Sequence, residues 1–400
     1  MSDAVPVQAP EVPRVRSEEM VLSMGPHHPS THGVLRLELT TDGEVVVSAR
    51  PDIGYLHRAI EKIAEHLEYR QFMPYTDRVD YLCAMNSNHA YALAVEKLAG
   101  ITVPPRAELI RVLMAELNRI SSHLICLGAL AMDMGAFTPF LHGIIHREKV
   151  NDLFESVCGA RLTYNYLTLG GVAAELPPAF LDQCEAFSEY LPPQMQEFND
   201  LITGNSIFQE RLCKVGVVPP DRAVSHGLVG PNLRASGVRW DLRKHEPYSL
   251  YGQLEFDVPV GDGGDPKGSN PGGRLGDAFD RYVVRVKEVA ESVKIVRQGV
   301  KRLRENDKLP ESHEDRKIQA KTPLRLKPKP GEVYMRSENP RGETGYYIVS
   351  DGSEKPLRLK IRTGSFSALN CFEEITRGLL ISDVVAVIGS FDIVLPEVDR

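Results

Sequence analysis

The densest set of proton-carrying side chains lies near the front of the chain, in Met24-Gly25-Pro26-His27-His28-Pro29-Ser30-Thr31-His32-Gly33. Three of the twelve histidines fall within six residues there. Pro, Ser, Thr and Gly surround them, so the segment reads as a stiff loop rather than a helix. Imidazoles titrate near neutral pH. Three readings follow: a surface His/Pro loop, a metal site, or a polar pocket that donates protons.

A second cluster is Arg78-Val79-Asp80-Tyr81-Leu82-Cys83, at the entrance of a helix. Tyr81 brings a phenolic donor, Asp80 and Arg78 are spaced to pair, and a thiol is adjacent. The plain alternative is an ion pair beneath a packed Tyr. Asp133 is the only charge between Leu124 and Thr138. A carboxylate buried there needs a partner. A histidine is one candidate, and the pair would raise that histidine's pKa; a cap or a solvent-facing position is the other. His142 and His146 stand at i, i+4, a metal-binding spacing, but no Glu or third His lies at a matching interval. His57-Arg58 and Glu61-Lys62 most simply form the charged face of an amphipathic helix. Neither G-x-S-x-G, a catalytic Cys/His signature nor a Walker motif occurs.

Composition narrows the classes. The 400 residues, 42% hydrophobic and 25% charged, are those of a soluble globular protein with a substantial core. A net charge of −7 argues against general nucleic-acid binding. The longest uncharged apolar run, Ile120 to Met132, is too short to span a bilayer. Met1 to Arg16 has neither an apolar secretory core nor the Arg/Ser bias of a transit peptide, and residues 1–20 read as a disordered tail. Cys83, Cys126, Cys158, Cys184, Cys213 and Cys371 are scattered without a C-x-x-C, implying reduced, mostly buried thiols in a cytosolic compartment. No zinc or iron–sulfur ligand set can be assembled from the spacing.

The elements that must hold these residues follow from periodicity. Residues 21–55 contain the His loop and a hairpin, Val34–Thr40 and Glu44–Ser48, with an Asp-Gly turn. Residues 56–217 read as a helical bundle. Its first helix spans Leu56–Leu67, and Ser87-Asn88 caps one from His89 to Leu98, which Gly100 stops. The longest runs from Pro104-Pro105 to about Met134, with Leu109, Leu113, Leu117, Ile120 and Leu124 at helix spacing. Thr138-Pro139 breaks it. Helices then follow at Leu141–Arg161, at Pro178–Gly204 with an interruption at Pro192-Pro193, and at Ile207–Val215. Residues 218–276 comprise an aperiodic stretch to Tyr248, too long for an idle connection, and a strand at Gln253–Val260. They end in a Gly-rich run at 261–273. That run matches neither phosphate-binding spacing, and its prolines remove amide donors, so it reads as a flexible exposed insertion. A basic helix fills 277–306. Residues 307–400 give a polar strap, strands at Val333–Arg336, Gly345–Ser350 and Leu357–Arg362, a short helix at Cys371–Leu380, and a buried apolar tail from Val384.

Gly25-Pro26-His27-His28-Pro29-Ser30-Thr31-His32-Gly33, Leu56-His57-Arg58-Ala59-Ile60-Glu61-Lys62, Asp80-Tyr81 and Leu169-Gly170-Gly171-Val172 together resemble the quinone-site (49 kDa, D-type) subunit of respiratory complex I. The resemblance runs from about Ser23 to Arg400. It implies an α+β fold like that of the nickel–iron hydrogenase large subunit, a long central helical bundle with small antiparallel β elements near both ends. Hydrogenases hold their metal with an R-x-C-x-x-C and a D-P-C-x-x-C segment. Here Arg78–Cys83 keeps at most one thiol, and Ser390–Glu397 keeps none, so no metal is expected on this chain.

The resemblance further implies a quinone-reduction pocket in a proton-pumping NADH:quinone oxidoreductase. In the family, the residues matching Tyr81 and His32 hydrogen-bond the quinone carbonyls, and the one matching Asp133 pairs with that histidine. His28 and His32 fill the two histidine places of the family pattern Gly-Pro-x-His-Pro-x-x-His-Gly, His28 joining in quinone binding, and Arg78, Asp80 and Asp392 support the pocket. No cofactor is expected on the chain itself. Electrons should come from a [4Fe–4S] cluster in a neighbouring small subunit, with a membrane subunit forming the quinone channel. The substrate is ubiquinone or menaquinone, and the place is the cytoplasmic side of the cell inner membrane. Many members carry a basic or His residue before the Gly-Gly-Val turn; Thr163-Tyr164 stand near there instead. The alternatives are a hydrogenase-like membrane complex and a non-catalytic scaffold.

Overall fold

The computed structural model describes residues 19–26 and 33–400. An N-terminal sheet is formed by β1 (Glu19–Met24), β2 (Arg36–Asp42) and β3 (Val45–Asp52), antiparallel in the order β1-β2-β3. The alternation of Leu35, Leu37 and Leu39, each almost fully buried, explains the register, because one face of the sheet is core. Helices α1 (Ile60–Ala64), α2 (Tyr69–Thr76), α3 (Ala84–Ala99), α4 (Pro105–Asp133) and α5 (Phe137–Cys158) follow. A two-residue hairpin, β4 (Leu167–Thr168) and β5 (Gly171–Val172), precedes α6 (Phe180–Phe198) and α7 (Ser206–Leu212). Short helices α8 (Pro220–Ser225), α9 (Gly230–Ala235) and α10 (Leu242–His245) lead to α11 (Ala278–Asn306). The C-terminal part holds the antiparallel sheet of β6 (Gly331–Asn339), β7 (Gly342–Ser350) and β8 (Arg358–Arg362). It closes with α12 (Gly364–Asn370), α13 (Phe372–Thr376), α14 (Ile381–Phe391) and α15 (Leu395–Asp399). The class is α+β, with long central helices between two small sheets.

Helix α4 is the axis. It is buried along nearly its whole length, and α5, α11 and α14 pack against it. A helix buried on all sides must bury its polar residues too. Gly143 lets α5 approach closely: a Cβ there would sit 2.7 Å from the Leu124 carbonyl oxygen of α4. That contact sets where the end of α4 and the start of α5 diverge.

Between α4, α11 and β6 lies a closed ion cluster. Glu116 accepts hydrogen bonds from Tyr251 Oη (2.7 Å), Ser292 Oγ (2.7 Å), Arg243 Nη1 (3.2 Å) and Arg119 Nε (3.3 Å). Glu288 accepts from Arg234 Nη2 (2.6 Å) and sits 2.9 Å from His123 Nε2. Glu338 accepts from Arg234 Nη1 at 2.7 Å, and Asp241 from Arg243 Nη2 at 2.7 Å. Burial alone would raise the Asp241 carboxyl, but Arg243 and Arg234 hold it down at about 2. The aperiodic 218–248 stretch therefore includes core: Arg234, Asp241 and Arg243 are each almost wholly buried.

Several sequence expectations change locally. The helix expected over Leu56–Leu67 shrinks to α1, because Asp399 accepts from the backbone N–H of Gly54 (2.9 Å) and Leu56 (2.7 Å) and holds that stretch as a loop. The helix expected to start at a Ser87-Asn88 cap begins at Ala84, and both residues are buried within it. Pro139 does not break the chain between helices; it sits in the first turn of α5, where no N–H partner is needed. Pro192 and Pro193 lie inside a continuous α6. The carbonyl that Pro192 cannot serve, that of Ser188, accepts instead from Arg297 Nη2 at 2.6 Å.

Gln253–Val260 is not a strand. Its extended backbone is bound by side chains of α11, with Glu255 N donating to Gln298 Oε1 (2.9 Å) and Asp257 N to Glu291 Oε2 (2.8 Å). The short helix expected at Cys371–Leu380 shortens to α13, with the unexpected α12 just before it, and the apolar tail from Val384 is largely the helix α14. The Gly-rich run is exposed at Gly264–Lys267, Ser269 and Pro271-Gly272, but it is pinned rather than free. Asn270 is 1% exposed and donates to Asp277 Oδ1 (2.9 Å) and Asp280 Oδ1 (3.1 Å), so both ends of the run are docked on the start of α11. All six cysteines are free, and Cys158 and Cys213 are only partly buried.

Candidate functional site

The end of α4, the start of α5, the end of α14 and the 3-10 turn Tyr81–Cys83 enclose a cavity of about 240 Å³. Tyr81, Cys126, Asp133 and Asp392 face it among the apolar side chains Leu82, Ile125, Met132, Phe140, Ile393 and Val394. Larger grooves of about 660 Å³ exist, one between α6 and α11, but they are lined by surface charges and hold no convergent proton donor. A mostly apolar cavity with a few polar groups is the more usual form of a small-molecule site.

The polar groups are placed by one arginine. Arg341 occupies the tight turn between β6 and β7, where Gly342 (φ 109°) takes a conformation that side chains disfavour and its Cα lies against Val229 and Gly230. From there Arg341 Nη1 donates to Asp80 Oδ2 (2.6 Å), Nη2 to Asp392 Oδ1 (3.3 Å) and Nε to the Asp392 carbonyl (3.1 Å). All three residues are buried. Burial alone would lower the guanidinium pKa, but Asp392 and Asp80 together hold it well above its ordinary value. Asp392 ends α14 in a left-handed conformation (φ 56°), and its Oδ2 is buried without a hydrogen-bond partner among the described residues. That is an acceptor in reserve beside the cavity.

Asp80 also accepts from the Cys83 thiol at 2.7 Å and caps the 3-10 turn through Leu82 N at 3.1 Å. Burial, then Asp80, pushes the Cys83 thiol up, the opposite of what a thiolate metal ligand requires. Burial likewise pushes the Tyr81 phenol up, so Tyr81 holds its proton at neutral pH. Behind Asp80 lies Glu397, which accepts from the Ser365 hydroxyl and from Gly364 N (3.3 Å). Burial and then the Asp80 charge raise its carboxyl to about 7. Among the described residues no group of three or more His, Cys, Asp or Glu is arranged to hold a metal ion.

Of the residues singled out from sequence, Tyr81, Asp133 and Asp392 line one cavity, and Asp80 stands directly behind it. Asp80 does not pair with Arg78 as the spacing suggested. Arg341 takes it, while Arg78 is exposed and reaches Asp77 (3.8 Å) and the Pro74 carbonyl (2.5 Å). His28 and His32 lie outside the described residues. His146 and Tyr190 hydrogen-bond at 3.0 Å, which gives that helix face a plain structural role. Sequence reasoning missed Arg341, Cys126 and Glu397. The only signal for Arg341 was a Pro-Arg-Gly turn between two strand patterns, with nothing to mark the arginine as buried.

Residues 133–400 match the family described as the 49 Kd subunit of the respiratory-chain NADH dehydrogenase. Over 385 residues the chain is 52% identical to a D-type NADH-quinone oxidoreductase subunit of Anaeromyxobacter sp. (strain K), covering 96% of this chain and 97% of that one. It is 52% identical over 383 residues to a D-type NADH-quinone oxidoreductase subunit of Sorangium cellulosum (strain So ce56), covering 96% and 95%. With the D-type NADH-quinone oxidoreductase subunit of Chlorobaculum tepidum, identity is 51% over 385 residues, covering 96% and 93%.

Proposed function

Since the chain belongs to the family of the 49 kDa subunit of the respiratory-chain NADH dehydrogenase, we propose that its cavity at the end of α4 is where a quinone head is reduced. The chain is a subunit of an NADH:quinone oxidoreductase complex, and the family relationship carries that much. The observation that carries the finer reading is that a phenol and a carboxylate, Tyr81 and Asp133, face one apolar-walled cavity.

Two-electron reduction makes both quinone oxygens strongly basic, so each needs a proton from a positioned donor. Tyr81 keeps its proton until an oxygen basic enough to take it is formed, because burial disfavours the phenolate. His32 is the second donor, oriented by Asp133, and His28 contributes to holding the quinone. Arg341 and Asp392 keep the cavity floor in place, and Asp80 fixes the turn that aims Tyr81. The balance is one quinone, two electrons and two protons to one quinol. The two electrons come from an iron–sulfur cluster on a small partner subunit, which is why this chain needs no cofactor of its own.

The setting is a peripheral position on the cytoplasmic side of the inner membrane, with the quinone entering from a membrane subunit. No helix among the described residues is long and apolar enough to cross a membrane. Charge changes at His32 and Asp133 couple the reduction to proton translocation. The test is substitution in the intact complex. Tyr81→Phe or His32→Ala should abolish quinone reduction while NADH still reduces the clusters. Turnover near wild type would favour a scaffold, and nickel at one per chain would favour a hydrogenase-like complex.

A further inference from the structure

We propose that an open cleft beneath α8, sharing no lining residue with the cavity at Tyr81, binds a phosphate-bearing ligand. The cleft encloses about 370 Å³ and is lined by Lys214, Arg222, His226 and Arg274, with Glu374 as its one carboxylate. Glu374 is already engaged, 3.1 Å from Arg222 Nε and 2.9 Å from His226 Nε2. Lys214 and Arg274 have no carboxylate within ion-pair distance among the described residues. The hollow thus holds two cations, Lys214 and Arg274, that its one carboxylate does not pair.

Their convergence is built rather than incidental. The carboxylate of Asp277, fully buried, accepts through a single oxygen, Oδ2, from the backbone N–H of Lys214 (2.8 Å) and of Arg274 (2.8 Å). Two segments sixty residues apart in sequence are thereby clamped at the same atom, each delivering its cation to the cleft. Lys214 accepts a left-handed backbone (φ 66°), a conformation that costs an L-residue of order 1 kcal/mol and is more common for Gly or Asn.

The ligand class follows from this chemistry. A guanidinium and an ammonium without counter-ions suit a dianion, and Arg matches phosphate oxygens in a two-pronged geometry. The hollow exceeds a bare phosphate, and its remaining wall is Val217, Pro219, Ile375 and Leu379. A phosphate monoester or diester with a less polar body fits: phosphate between Lys214 and Arg274, body against Pro219 and Leu379. Free phosphoesters and lipid headgroups share that chemistry.

The experiment uses the purified, delipidated complex and three probes: inorganic phosphate, AMP and dihexanoyl-phosphatidylglycerol, with dihexanoyl-phosphatidylcholine as the uncharged control. Equilibrium binding is compared between wild type, the double variant Lys214→Gln/Arg274→Gln, and Lys267→Gln, an exposed lysine of the Gly-rich run. Each charge-assisted contact is worth enough for roughly a tenfold change in affinity. Saturable binding of at least one anionic probe, weakened about a hundredfold by the double variant and unchanged by Lys267→Gln, is the expected result. Binding of AMP or phosphate identifies a soluble ligand, and binding of phosphatidylglycerol alone identifies a headgroup. No saturable binding of any anionic probe, or equal binding by the double variant, overturns the proposal.

Discussion

Helix α4 carries charge in two settings, its middle and its end. In its middle, Glu116 and Arg119 belong to a cluster with Arg234, Asp241, Arg243, Glu288 and Glu338, in which every carboxylate is met by an arginine and no cavity opens. At its end, Asp133 lines a cavity together with Tyr81 and with Asp392, whose second oxygen has no hydrogen-bond partner among the described residues. Carboxylates met by arginines hold helices together, their cost of burial offset locally, although Arg119 Nη1 and His123 Nδ1 in that cluster have no hydrogen-bond partner among the described residues. The Asp392 oxygen beside the cavity retains bonding capacity that a ligand can use. The central carboxylates are fully buried while Asp133 and Tyr81 are half-buried at the cavity wall, so it is the cavity and not the burial of charge that marks the site.

The contrast breaks most sharply at Tyr81. Tyr81→Phe removes one hydroxyl from the cavity wall and should lower quinone reduction by about 10²–10⁴-fold, with the thermal midpoint of the complex almost unmoved. The same activity assay with a collapsed midpoint would mean that Tyr81 is a packing residue like those of the central cluster. Arg243→Met does the reverse. It leaves Glu116 and Asp241 short of a partner and should destabilise the fold by about 3–5 kcal/mol, seen as poor assembly. Complexes that do assemble should turn over normally, and a specific loss of quinone reduction in them would erase the distinction between the two regions.

A smaller effect is expected at the Gly-rich run. Asn270→Ala removes a buried donor to Asp277 and Asp280 and should cost about 1–3 kcal/mol, whereas deleting Asp265 to Ser269 should leave activity intact. Deleting through Asn270 would combine the two and is expected to destabilise. The smallest signal is a titration. Glu397 carries a carboxyl raised to about 7, so the folded chain binds this proton more tightly than the unfolded chain does. Its contribution favours folding below the unfolded carboxyl value and is lost as pH rises toward about 7. Difference infrared spectra should show a protonated carboxyl band at pH 6 that fades by pH 8 and is missing in Glu397→Gln.

Much of the architecture was legible because its signals are local. The leucines of α4 recur at helical spacing, Pro105 starts that helix, and α11 begins and ends where its polar caps stand. What failed to show was decided by distant partners. Asp399, at the far end of the chain, melts the expected start of α1; Arg297 rescues the carbonyl that Pro192 strands; glutamate and glutamine on α11 stand in for a missing strand. Nearly complete burial also removes the polar face that makes a helix visible, as in α14. At the site, Tyr81, Asp133 and Asp392 were identified from residue type and family motif. Arg341, which ties Asp80 to Asp392 across 261 and 51 residues of sequence, had no local pattern to announce it.

The most direct measurement is a structure of the intact complex with a short-chain quinone bound. One ring oxygen within hydrogen-bond distance of Tyr81 Oη and the other facing His32, with the ring against Val394 and Met132, is the expected result. A quinone ring seated elsewhere, with the Tyr81 cavity closed or filled by another subunit's side chain, would contradict it.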